Sequence, residues 1–165
     1  MSNLKFSINS NVRSADVCDW NEMLYNMYSK WFKNKGIEYK VIHKEEGQSN
    51  GIQSVVMEII KDNGINLMSE IGVHRLTRIS PFDSNARRHT TYSAIDVNSS
   101  LMNYTDIKRS YVLYPYTIVK NHRWTNGSKD YWYFVLNGNI VKDYYTEHET
   151  SKADEVLAGN VDLVR

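Results

Sequence analysis

Ser80-Pro81-Phe82 and, a little further on, His89-Thr90 bring two hydroxyls, a fixed φ and two flat rings into one short stretch. Ser80 can donate and accept through its hydroxyl, Pro81 stiffens the tip of the segment, and Phe82 is expected to pack beneath it. His89 is a ring suited to stacking, and Thr90 beside it can exchange hydrogen bonds with a purine edge. Hydrogen bonds to exposed base edges together with stacking are how proteins read single-stranded RNA. A loop proline is ordinarily just a turn, however, and a lone histidine is more often a satisfied structural group. From Ile107 to Lys129 there are five Lys or Arg residues and no acid, interleaved with Tyr111, Tyr114, Tyr116 and Trp124. That pattern suits contact with a polyanion and equally suits a solvated face.

Other chemistry finds little support. No pair among His43, His74, His89, His122 and His148 has the spacing of a metal motif, and no local Ser, His and acid grouping suggests a nucleophile. Neither catalysis nor a metal or cofactor is expected. Cys18 is the single cysteine, so it has no partner for an internal disulfide, which favours a reducing compartment and a cytoplasmic location. No apolar run reaches the length of a membrane span. Lys and Arg total 20 against 19 Asp and Glu, so attraction to nucleic acid must come from a local patch.

The elements that must position these residues can be read from periodicity. With 165 residues and 41% hydrophobic content the chain can bury one core. Lys5 to Ile8 alternates as a strand does, and Ser14 is a candidate N-cap for a helix over Asp16 to Lys35. Trp20, Met23, Leu24, Met27, Trp31 and Phe32 recur there at helical spacing, with Gly36 as a left-handed stop. Trp20, Met27 and Trp31 are therefore assigned to the core. Glu38 to His43 and Ile52 to Ile60 predict a hairpin, and Asn63 to Ile71 a short helix closed by Gly72. Residues 73 to 88 are expected to form a long ordered loop, followed by strands at about 89 to 97 and 105 to 113. Tyr131 to Leu136 and Ile140 to Tyr145 flank Asn137-Gly138 as a second hairpin, and Ser151 to Asp154 has capping-box spacing ahead of a short helix closed by Gly159.

The run Gly72-Val73-His74-Arg75-Leu76, then Ser80-Pro81-Phe82-Asp83, then Arg87-Arg88-His89-Thr90, resembles the codon-recognition region of the bacterial class I peptide chain release factors that read UGA and UAA. The likeness extends back through Asp19-Trp20, Met27-Tyr28 and Trp31 and forward to about Val97. A second block, Arg109-Ser110-Tyr111-Val112-Leu113 with Pro115-Tyr116 and Val119-Lys120, looks like the segment that follows the catalytic domain in that family. Val156-Leu157 with Gly159 and Asp162 match more weakly. The resemblance implies that Ser80 faces the second base of a stop codon, with Pro81 and Phe82 shaping the tip, and that His89 and Thr90 serve the third. The family reads its first-base uracil from the start of the long helix with a Gly-Gly pair and a Glu. Those positions here are Arg13, Ser14 and Asp16. Arg13 is expected either to obstruct the uracil or to reach toward phosphate, because glycine is what lets a backbone approach closely. Arg87, Arg88, Lys108, Arg109, Lys120 and Arg123 become candidate contacts to rRNA, while His74 and Arg75 read as scaffolding.

The family also carries a catalytic domain with a Gly-Gly-Gln motif between its two blocks. Here only Asn98 to Lys108 joins them, and no two of the eight glycines are adjacent. The resemblance thus implies an α+β fold, a two-layer domain of mostly antiparallel sheet packed against helices. A single unit over 1–165 is expected, with 1–97 and 105–165 packed together, the Gly-Gly-Gln domain missing near 98–108, and an added hairpin over 124–150. The expected partner is the small-subunit decoding site, rRNA and mRNA stop codon together, engaged without peptidyl-tRNA hydrolysis so that termination is competed with or modulated. Two alternatives are an RNA-binding module acting off the ribosome and a protein-interaction module using the aromatic hairpin 131–145.

Overall fold

The computed structural model describes residues 4–10, 12–99, 132–135, 140–143 and 148–165. Among these, strands β1 (Leu4–Asn9), β2 (Glu38–Glu46), β3 (Ile52–Lys61), β4 (Gly72–Ile79), β5 (Arg88–Ser99), β6 (Trp132–Val135), β7 (Ile140–Asp143) and β8 (Glu149–Thr150) form one sheet in the order β2-β3-β1-β5-β4-β6-β7-β8. Neighbouring strands are antiparallel except β4 and β6, which run parallel. Helix α1 (Ala15–Lys35) lies on one face, with the short helix α2 (Ala153–Leu157) against it. The fold is α+β, a mostly antiparallel sheet packed on helices.

Helix α1 starts and stops for local reasons. Ser14 is extended and its hydroxyl accepts from Val17 N at 3.2 Å, satisfying one of the orphan donors of the first turn. Asp16 in that turn and Lys33 and Lys35 in the last complement the helix dipole. Gly36 ends the helix at φ 70, and Ile37 N then reaches Phe32 O at 2.8 Å.

The apolar stripe of α1 seats Trp20, Leu24, Met27, Tyr28, Trp31 and Phe32 against Phe6 and Ile8 of β1, Val55, Met57 and Ile59 of β3, Leu76 of β4 and Ile95 and Val97 of β5. Polar groups fix where along the sheet the helix sits. Trp20 Nε1 donates to His74 O at 2.9 Å, and Asn21 Nδ2 donates to Ile52 O and Gln53 O at 2.9 and 3.1 Å while Ser93 Oγ donates to Asn21 Oδ1. The start of α1 is thereby stapled over β3, β4 and β5 at once. The β2–β3 turn comes so close that a Cβ on Gly51 (φ +65) would lie 2.2 Å from Cys18 O, which only glycine avoids.

The structure corrects four readings of the sequence. Residues 73 to 88 are not one long loop: β4 occupies most of the stretch and only residues 80–87 turn. The predicted helix over Asn63 to Ile71 shrinks to a single 3-10 turn, Leu67–Glu70, capped by the Asn66 side chain. Asn63 and Gly64 hold positive φ (53 and 78), which a helix cannot accommodate, and Gly72 opens β4 instead of closing a helix. Ser151 does not cap α2; the position before that helix is Lys152, with no side-chain cap bond. Phe82 does not pack beneath Pro81 but stands 47% exposed. Strands β6 and β7 pair antiparallel where the arms of the second hairpin are expected, and its Asn137-Gly138 turn lies outside the described residues. The strand expected at 105 to 113 and the basic stretch from Ile107 to Lys129 lie outside the described residues.

Candidate nucleic-acid interface

Strand β1 pairs with β5 only as far as Asn9 opposite Ala94, whereas β5 runs on to Arg88 opposite Ile79 of β4. Past Asn9 the chain leaves the sheet to enter α1, so the first half of β5 has β4 on one side and no described strand on the other. A cleft of about 400 Å³ opens along that free edge. Segment 9–17 forms one wall with Val12, Ser14 and Asp16, and β5 forms the other with His89, Thr90 and Tyr92. Four of the residues singled out in the sequence, Ser14, Asp16, His89 and Thr90, thus line one space although more than seventy positions separate the two pairs.

The 80–87 turn stands beside this cleft and is closed by its own backbone. Ser80 N donates to Arg87 O at 3.0 Å and Ala86 N to Asp83 O at 2.9 Å. Ser80 is 3% exposed: its hydroxyl donates to the Asp16 carboxylate, 2.9 and 2.8 Å from the two oxygens, and accepts from Phe82 N at 3.1 Å. Pro81 and Phe82 are exposed at the tip. Asp83 accepts from Asn85 N and from Arg87 Nε, each at 2.8 Å, and lies 2.7 Å from His89 Nε2. Because a carboxylate can only accept, His89 carries its proton on Nε2. These bonds, the histidine first, then Arg87 and the Asn85 N–H, hold the Asp83 carboxyl well below the ordinary carboxylate range. The other imidazole nitrogen, Nδ1, lies 3.9 Å from Asp16 Oδ2, so the ring stands between two acids with its side chain 40% exposed.

The remaining candidates fall in three places. Thr90 Oγ1 sits 3.1 Å from Thr77 Oγ1 across β4 and β5. Arg88 is exposed, and Arg87 is exposed while paired with Asp83. Arg13 neither blocks the cleft nor extends freely; its guanidinium pairs with Glu45 of β2 at 3.2 Å. Lys108, Arg109, Lys120 and Arg123 lie outside the described residues.

Sequence reasoning missed Arg78, whose guanidinium lies 3.2 Å from Asp16 and 2.7 Å from Asp19 with only 10% of its side chain exposed. Two acids three positions apart at the start of a helix share one face, and that spacing was the available signal for a cation between them. Tyr92, 46% exposed on the cleft wall, was missed as well, since nothing in the sequence separates it from a core aromatic. Cys18 is buried and donates to Gln53 Oε1 at 3.4 Å; desolvation raises its thiol pKa. Among the described residues no group of three or more His, Cys, Asp or Glu is placed to hold a metal ion, and no helix is long and apolar enough to cross a membrane. Hydroxyls, an imidazole, exposed aromatics and arginines around a groove are equipped for recognition of bases and phosphates.

Comparison with known proteins gives this geometry a setting. Residues 2–97 match the family model described as PCRF domain. The chain is 42% identical over 92 residues to peptide chain release factor 2 of Chlamydia muridarum, an alignment covering 55% of this chain and 25% of that protein. It is 35% identical over 108 residues to peptide chain release factor 2 of Helicobacter acinonychis, covering 65% of this chain and 30% of that protein. The chain therefore spans well under half the length of the curated relatives it matches. Among solved structures, RF2 of Thermus thermophilus superposes with a TM-score of 0.73 at 20% identity, over 99% of this chain and 66% of that one, a likeness of fold.

Proposed function

The chain belongs to the PCRF domain family, and from that premise we propose that this termination-related module recognises a stop codon in the decoding site of the small ribosomal subunit without hydrolysing peptidyl-tRNA. The observation that carries the reading is the convergence of Ser14, Asp16, His89 and Thr90 on one cleft with Ser80 tied to its wall. Base edges of a single-stranded codon need hydroxyl donors and acceptors beside flat rings, and this groove offers both within reach of exposed arginines. In this reading Ser80, with Pro81 and Phe82 at the tip, serves the second base, His89 and Thr90 the third, and the start of α1 at Arg13, Ser14 and Asp16 lines the place of the first. Arg87, Arg88, Lys108, Arg109, Lys120 and Arg123 are the candidate contacts to rRNA.

The family's hydrolytic chemistry needs a Gly-Gly-Gln motif, and none of the eight glycines has a glycine neighbour. Residues 1–97 and 105–165 form one codon-recognition unit in this proposal, with 124–150 an addition to the family's pattern. A protein that reads the codon and lacks the reactive arm competes with complete factors, delaying termination.

The test is binding of the purified protein to ribosomes with UGA, UAA, UAG or a sense codon in the A site, beside Ser80→Ala and His89→Ala. Preference for UGA and UAA that both substitutions weaken about ten-fold or more is the expected result. Equal binding to all four codons removes codon reading and leaves ribosome binding. No binding at all transfers the function to free RNA or to a protein partner.

A further inference from the structure

Arg165 sends its guanidinium back into the body of the molecule, among residues none of which lines the cleft. Its Nε lies 2.9 Å from Glu70 Oε2, and Nη2 donates to Asn66 O at 2.8 Å and to Ser69 Oγ at 2.7 Å. The guanidinium carbon stands over the Trp31 ring, 4.7 Å from its centroid. Trp31 is 1% exposed and Glu70 0%. The other Glu70 oxygen accepts from the Tyr28 hydroxyl at 3.0 Å.

We infer that Trp31, Asn66, Ser69 and Glu70 form a guanidinium-binding socket, and that Arg165 fills it as a ligand from the same chain. The inference is independent of the stop-codon reading. A carboxylate shut away from solvent needs a cation beside it, which Arg165 supplies. The carbonyl and hydroxyl oxygens next to that carboxylate match the planar fork of N–H groups that a guanidinium presents. An indole face suits a delocalised, weakly hydrated cation better than a compact, strongly hydrated ammonium. The socket residues come from α1 and from the turn around Leu67–Glu70, whereas the ligand comes from beyond α2. Other contacts hold the ligand's neighbours in place. Trp31 Nε1 donates to Asp162 Oδ1 at 3.4 Å, His148 Nδ1 donates to Arg165 O at 2.8 Å, and Gly159 (φ +113) packs so tightly on α1 that a Cβ there would lie 2.8 Å from Lys30 Cβ. Emptying the socket therefore leaves segment 148–165 docked and opens a space shaped for a small cation of the same kind.

The experiment empties the socket with Arg165→Ala and offers methylguanidinium at low millimolar concentration, with methylammonium at equal ionic strength as the control. In urea unfolding, Arg165→Ala is expected to lower the midpoint by about 1 M or more, because a buried carboxylate loses its cation. Methylguanidinium should restore most of that loss in a saturable way, and methylammonium little of it. The Trp31 indole N–H resonance should shift with the same concentration dependence, and adding Glu70→Gln should abolish both responses. Arg165→Lys, which keeps the charge and loses the fork, should stay closer to Arg165→Ala than to wild type. Equal rescue by the two cations, or Arg165→Lys as stable as wild type, would show that the site takes any positive charge. Rescue that survives Glu70→Gln would place the added ligand elsewhere, and an unchanged midpoint in Arg165→Ala would leave the socket without a role. Each of these results overturns the inference.

Should Arg165→Ala not fold unaided, its recovery on dilution from urea is measured with each cation present. Folding that methylguanidinium supports and methylammonium does not is the expected result. Folding with both alike, or with neither, overturns the inference.

Discussion

The Asp83 side chain ties together more of the 80–87 turn than the serine and proline near it, because its two oxygens hold Asn85, Arg87 and His89 together. A carboxyl held below its unfolded value, ordinarily about 3.9, contributes stability that is complete above that value and is lost as pH falls through the folded one. Since the histidine, arginine and backbone bonds lower Asp83, the turn is expected to keep its order from neutral pH to about pH 5 and to lose it only in stronger acid. Amide and carboxyl chemical shifts of residues 80–89 followed by NMR through an acid titration measure this, and Asp83→Asn should show the disordered pattern already at neutral pH. Cys18 makes the opposite kind of prediction. Burial raises its thiol, so modification by a thiol reagent is expected only on unfolding; prompt labelling of native protein would show that the β2–β3 turn opens.

At the scale of elements, the placement of α1 governs the cleft, and its determinants can be removed singly. Ser14→Ala is expected to cost about 1 kcal/mol by uncapping the first turn, and Trp20→Ala about 3 to 5 kcal/mol by emptying a fully buried indole site and removing its hydrogen bond to His74 O. Urea unfolding measures both, and only the first should leave a folded protein in which codon discrimination can still be assayed. Helix α1 was legible from the sequence because its start, stripe and stop all agree. Strand β4 was not, and its residues show why. Its burial does not alternate, and His74, Thr77 and Arg78 are polar side chains inside. Each is bonded or ion-paired to something distant in sequence: His74 to Tyr28, Thr77 to Thr90, Arg78 to Asp16 and Asp19. A pattern that assigns polar residues to solvent reads such a strand as loop. The same limit applies to the site, whose residue types could be read while the Asp16–Ser80 bond, made across 64 positions, could not.

For the molecule as a whole, a net charge of +1 provides no long-range field to gather a polyanion. Free oligoribonucleotides carrying UGA or a scrambled triplet are therefore expected to bind weakly and alike in fluorescence anisotropy, with codon preference emerging only on the ribosome. Strong triplet-dependent binding to free RNA would instead favour the off-ribosome role. The parallel pairing of β6 with β4 has a different consequence. Because β5 runs antiparallel to β4 and β6 runs with it, β5 finishes and β6 begins at the same end of the sheet, opposite the 80–87 turn and roughly 20 Å apart. The chain that departs there has only to come back to a fixed neighbouring socket, and the cost of closing such an excursion rises by only about 0.6 kcal/mol for each doubling of its length. Sequence inserted or removed at this junction therefore need not re-register a strand or disturb the groove at the far end of the sheet.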